Sequence, residues 1–116
     1  MVEHERFESF LESLPECLPK HLVDLELENI KEGIPIIRKG GERLIRFMLE
    51  LKKPVNILEV GTATGFSALL MLEYIGKEAK ITTIERMEER ATKAEENFKK
   101  YDKNGPVSYT HLRAHE

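Results

Sequence analysis

Among the 116 residues there is no tryptophan and a single cysteine, Cys17. One thiol cannot close an internal disulfide, so a disulfide-stapled scaffold is excluded and the fold must rest on packing and hydrogen bonding. Cys17 stands between Pro15 and Pro19 without a nearby basic partner, and it reads as a small apolar filler rather than a nucleophile. No apolar run is long enough to cross a bilayer and no secretory signal is written, which sets the expectation of a cytoplasmic chain with no membrane partner. Neither sign of charge dominates: 18 basic residues stand against 21 acidic ones, for a net charge of −3, and 41% of the residues are hydrophobic. That balance suits one soluble globular unit. Glycine and proline are sparse, at 7 and 5, so each marks a boundary worth reading.

The chain is organised around Asn56 to Ser67, NILEVGTATGFS. Val55, Ile57 and Val60 make a short β-branched run that reads as a buried strand ending at Gly61. The residues from Gly61 to Gly65 are small, and an apolar run without glycine or proline follows from Phe66 to Ile75. Strand, tight turn and helix is the predicted order, closed by Gly76. Residues without bulk at such a turn let a ligand lie directly on the backbone. Lys80 to Glu85 predicts a second strand, parallel to the first through a right-handed crossover.

Two common nucleotide signatures fail here. A G-x-G-x-x-G fingerprint begun at Gly61 meets Ala63 and Phe66 where glycines are required, and a triphosphate loop would need a glycine at Phe66 and a lysine at Ser67. Acids remain at both strand ends, Glu59 and Glu85, and Glu85 lies 20 residues beyond Gly65. An acid at that offset can accept both ribose hydroxyls of an adenosine-containing ligand. Each feature also has a plainer reading: the glycines as a turn, the two acids as solvated strand ends, Ser67 as a helix-start hydroxyl.

Before this block, Phe7, Phe10, Leu11 and Leu14 form one stripe of a helix that Pro15 ends. A second helix starts near Pro19 or Lys20, turns Leu22, Leu25 and Ile30 inward, and stops at Gly33. Both are acidic outside, as a solvated face would be. Ile34 to Arg38 is extended because of Pro35, Gly40 and Gly41 form a bendable linker, and a third helix runs from Glu42 to Lys52 before Lys53-Pro54. Arg38, Lys39, Arg43, Arg46, Lys52 and Lys53 make this segment basic. A polyanion such as tRNA or the phosphates of a CoA thioester could use it, although dipole complementation and a solvated face explain it as well. Past the second strand, Glu88 to Tyr101 predicts a helix with Met87, Ala91, Ala94, Phe98 and Tyr101 on one face, and Glu89–Lys93, Glu95–Lys99 and Glu96–Lys100 paired outside.

ILEVGTATGFSALLM followed by ITTIER resembles the first two motifs of the class I S-adenosylmethionine-dependent O-methyltransferases, in the bacterial group related to catechol and caffeoyl-CoA enzymes and closest to the tRNA 5-hydroxyuridine methyltransferases. The resemblance runs from about Leu11 to Gly105. It implies an α/β, Rossmann-like fold: N-terminal helices over residues 1–54, the first half of the cofactor domain over 55–105, and truncation after the second strand and its following helix. It also implies S-adenosylmethionine as cofactor, with Gly61 and Ala63 against its methionine part and Ser67 bonded to its carboxylate. By the same resemblance Glu59, Thr62 and Gly65 also bind the cofactor, Glu85 holds the ribose, Arg86 lies beside the adenine, and Ile37 closes over the cofactor. Transfer to a hydroxyl of a small aromatic, a CoA thioester or tRNA 5-hydroxyuridine is the implied activity, with a homodimer and a divalent metal such as Mg in the full-length family.

After Gly105 the chain departs from that pattern. Residues 106–116, PVSYTHLRAHE, replace the expected third strand and acidic loop, so they read as a non-native or disordered tail from a truncated or frame-shifted frame. No catalytic residue and no metal ligand is assigned, because HLRAH, which brings His111 and His115 four apart, lacks the glutamate of a zinc-protease helix. The chain alone is expected to be inactive. Two other readings remain open: a helix-rich, non-catalytic interaction fragment, and an NAD-linked oxidoreductase fragment.

Overall fold

A computed structural model describes residues 2–14, 17–102, 105 and 107–111. Pro15, Pro106 and His115, which carried expectations above, lie outside the described residues. The order of elements is α1 (Val2–Ser13), α2 (Lys20–Glu32), α3 (Lys39–Lys52), β1 (Asn56–Val60), α4 (Phe66–Leu72), β2 (Lys80–Glu85), α5 (Glu88–Tyr101) and β3 (Val107–His111). The strands form one parallel sheet in the order β1-β2-β3, with Val60 opposite Ile84 and Glu85 opposite His111. A fold truncated after the second strand is therefore corrected. Val107, Ser108, Tyr109, Thr110 and His111 mix β-branched and aromatic residues with polar ones, and this run pairs along β2 instead of trailing as a tail.

Along β2, Ile81, Thr83 and Glu85 turn to the helix-covered face while Lys80 and Thr82 face outward, the period-2 pattern of a pleated strand. The covered face carries the core. Leu22 and Leu25 from α2, Phe66, Leu69 and Leu70 from α4, and Ala94 and Phe98 from α5 pack there with Ile81. Gly33, with φ +68°, caps α2 in the left-handed conformation and donates its N–H to the helix-end carbonyls.

Several expectations yield to tertiary packing. Ile30 is 62% exposed, and Asn29 takes the inward position at 1%. Phe7 and Phe10 are exposed as well. Cys17 is exposed rather than a core filler. Gly40 and Gly41 lie inside the first turn of α3, not in a linker, because the helix starts against Ile37: a Cβ on Gly41 would stand 2.7 Å from its Cγ1. The helix after the loop is also shorter than expected, ending at Leu72. On α5, Glu95 pairs with Lys99, but Lys93 reaches Glu28 on α2 and Lys100 lies over the Tyr101 ring.

The basic segment is largely engaged within the chain. Lys39 bonds Glu26 and Glu42, Arg43 donates to the carbonyls of Leu11 and Leu14 at the end of α1, and Arg46 bonds Glu50 and lies over Tyr74. Its cations thus hold α3 to α1, α2 and the segment that follows α4.

Candidate cofactor site

Ligands of open parallel sheets bind beyond the carboxyl ends of the strands, and there the loop from Gly61 to Gly65 crosses from β1 towards β2. The N–H groups of Gly61 and Thr62 both donate to the Ile84 carbonyl, at 2.8 and 3.2 Å. The chain then passes through three left-handed residues, Gly61 (φ +95°), Ala63 (φ +49°) and Gly65 (φ +92°). Gly61 opens on free space, whereas a Cβ on Gly65 would lie 2.8 Å from the Phe98 ring. Backbone conformation fixes the first glycine; conformation and close packing together fix the second.

Glu85 closes the loop from the β2 side. Its Oε2 accepts the N–H of Ala63 at 2.8 Å, and its Oε1 accepts those of Arg86 and Met87 at 2.9 and 3.0 Å. Burial works against the charge, but the N–H groups of Met87, Ala63 and Arg86, aided by Arg90, outweigh it and hold the carboxyl below its ordinary range. Glu85 is an anion at neutral pH.

Beneath the loop a second chain of bonds runs between side chains. Thr83 gives its only hydroxyl proton to Glu59 Oε1 at 2.7 Å, so the 2.6 Å contact between Thr62 and Thr83 is donated by Thr62. Ser67 donates to Glu59 Oε2. Burial raises the Glu59 carboxyl above its ordinary value, and the bonds from Ser67 and Thr83 offset this only in part. Glu59 is thus no solvated strand end; it anchors the underside of the loop.

The structure brings nearly all the sequence-derived residues together. Ile37, Glu59, Gly61, Thr62, Ala63 and Ser67 line one cavity of about 270 Å³, which Ile36 and Ile45 help to wall. Glu85 stands next to it through Ala63. Arg86 takes part through its backbone N–H, and its side chain is exposed. Thr62 is 1% exposed with its hydroxyl committed below, so only its backbone can meet a ligand. A larger cavity of about 740 Å³, lined by His21, Lys80 and Tyr101, lies at the other end of the sheet, away from these carboxyl ends.

Sequence reading missed Thr83, Asn29 and Asn97. Thr64 donates its hydroxyl to Asn29 Oδ1 at 2.8 Å, and its carbonyl accepts from Asn97 Nδ2 at 2.8 Å. A signal for both amides was present: each sits on an otherwise apolar stripe, Asn29 after Leu22 and Leu25, Asn97 after Ala91 and Ala94. Among the described residues no group of three or more His, Cys, Asp or Glu could hold a metal ion, and no step below passes through one. No helix of the described residues is long and apolar enough to cross a membrane.

A parallel sheet with small residues after its first strand and a fixed acid at the end of its second suits an adenosine-containing cofactor, and the relatives place the chain among the S-adenosylmethionine-dependent methyltransferases. A solved Podospora anserina methyltransferase bound to S-adenosylhomocysteine superimposes with a TM-score of 0.78 at 26% identity, over 97% of this chain and 50% of its own. The chain belongs to the protein-L-isoaspartate(D-aspartate) O-methyltransferase family, whose model matches residues 43–113. It is 44% identical over 85 residues to the protein-L-isoaspartate O-methyltransferase of Methanococcus aeolicus, covering 73% of this chain and 37% of that one. Its counterpart in Methanococcus vannielii is 48% identical over 56 residues, 48% of this chain and 27% of the relative. The chain thus spans about a third of the curated relatives' length.

These relatives correct the expected acceptor. They are named for protein isoaspartate, not for a small aromatic, a CoA thioester or tRNA 5-hydroxyuridine. The same assignment displaces the interaction-fragment and NAD-linked readings.

Proposed function

We propose that this chain forms the cofactor-binding part of a methyltransferase that uses S-adenosylmethionine to esterify isoaspartyl carboxylates in proteins. The observation that carries the reading is the Glu85 anion held by backbone N–H groups at the rim of a loop of small residues. Names of the relatives support the acceptor, and the bound product in the superimposed structure supports the cofactor.

In this reading Glu85 accepts the ribose hydroxyls. A carboxylate offers about four lone-pair positions and three are already taken, which leaves one on Oε2, beside the Ala63 N–H, for a ribose hydroxyl. Ala63 and Gly61 then face the methionine part. Ser67 turns its hydroxyl from Glu59 to the cofactor's carboxylate, while Glu59, Thr62 and Gly65 keep the loop in shape. Arg86 flanks the adenine, and Ile37 with Ile36 and Ile45 walls the methyl-bearing end from water. The cofactor supplies an electrophilic methyl group on a sulfonium. An isoaspartyl carboxylate is ionised at neutral pH and needs no base, which leaves the protein the work of binding, aligning and drying the site.

Calorimetric titration with S-adenosylhomocysteine tests the assignment. Saturable binding that Glu85→Ala weakens by about a hundredfold, as loss of hydrogen bonds to a charged group predicts, supports it. Equal affinity of parent and variant contradicts it.

A further inference from the structure

Thr64 occupies the middle of the loop, between Ala63 and Gly65, both left-handed. It is 1% exposed, and two helices hold it: Asn29 of α2 takes its hydroxyl and Asn97 of α5 donates to its carbonyl. These two bonds pin the loop one residue beyond Ala63, whose own N–H lies in the Thr62–Ala63 peptide. That N–H is the one Glu85 accepts.

Asn29 is costly as a packing residue. It is buried on the apolar stripe of α2, and its Nδ2 has no hydrogen-bond partner among the described residues. Apolar side chains at both 29 and 64 would avoid the unpaired donor and the buried hydroxyl together, so stability alone does not account for this amide–hydroxyl pair. Its Oδ1, however, meets the Thr64 hydroxyl, and Asn29 lies outside the segment that the family model matches.

We infer that Asn29 and Asn97 are positioning residues that clamp Thr64 from two helices, so that the docking of α2 sets the affinity of the loop for its adenosyl ligand. The affinity part rests on the cofactor reading above. The clamp itself is measurable without ligand.

The experiment compares Asn29→Leu, Thr64→Val, the double variant and Thr64→Ser in the 116-residue chain. Three quantities are read: the S-adenosylhomocysteine Kd, the amide hydrogen exchange of Ala63 and Gly65 in the free protein, and the thermal midpoint. Asn29→Leu and Thr64→Val should each raise Kd and the Ala63 exchange rate about tenfold, the double variant should be no worse than either, and Thr64→Ser should keep the parental values. Asn29→Leu strands the buried Thr64 hydroxyl and should melt below the parent, while the double variant, apolar at both positions, should recover towards it. The rise in Kd and in Ala63 exchange that persists in the recovered double variant is what a merely structural role would not produce. Unchanged exchange and affinity in Asn29→Leu overturn the inference. So do penalties that multiply in the double variant, because independent residues multiply and a clamp does not. If the parent fails to bind while Ala63 exchange still rises in Asn29→Leu, the clamp is supported and the cofactor reading fails.

Discussion

Glu85 and Ala63 meet across the carboxyl ends of two adjacent parallel strands, 2.8 Å apart from carboxylate oxygen to amide nitrogen. The contact ties the last residue of β2 to the middle of the loop that leaves β1. This anion joins the Ile84 carbonyl and the Thr64 contacts in fixing a loop whose own residues sit in a conformation that side chains rarely choose.

Replacing Glu85 by Gln should destabilise the chain by about 2 kcal/mol at neutral pH, since an amide can accept only through its one oxygen and turns a donor towards the other N–H groups. The folded-state pKa is depressed, so the stabilisation is present above the ordinary carboxylate range and is lost as pH falls through the lower, folded value. Denaturant melts of parent and variant should therefore differ at neutral pH and converge in acid.

Glu59 carries the opposite sign. Its carboxyl titrates above the ordinary 4.5, so the folded state holds the proton more tightly than the unfolded chain. Stability from this group declines as pH rises from 4.5 through the raised value. Glu59→Gln should remove that decline, and the parent-minus-variant difference, measured by melts across this range, should fall steadily with rising pH.

The two loop glycines should separate strain from packing. Gly61→Ala adds a Cβ that meets nothing within 4 Å, so only the φ of +95° is penalised, at about 1 kcal/mol. Gly65→Ala adds a clash with the buried Phe98 ring and should cost about 3 kcal/mol. Truncating the ring with Phe98→Leu should narrow the gap between the two alanine variants in thermal melts.

Legibility in the sequence followed the kind of force at work. The bounds of β2 and α5 and the Gly33 cap follow from local periodicity and turn chemistry, whereas the gathering of Gly61, Ala63, Ser67 and Glu85 at one site is implied by the family resemblance of the two motifs. Asn29 and Ile30 show the limit: they are neighbours on α2, and hydropathy favours Ile30 inside, but the loop needs an acceptor where Asn29 sits. Phe7 and Phe10 lie on a proper helical stripe, yet a stripe says nothing of whether a neighbour covers it. β3 was hidden for a different reason. Its pairing depends on the exposed backbone edge of β2, a non-local cause that five residues cannot announce.

The most direct test is a two-dimensional amide NMR titration of the chain with S-adenosylhomocysteine. Saturating shifts at Gly61, Ala63, Ser67, Arg86 and Met87, largest at Ala63 because its N–H shares Glu85 Oε2 with the incoming ribose hydroxyl, are the predicted result. Shifts gathered instead around Lys80 and Tyr101 at the far end of the sheet, or none at all, would contradict it.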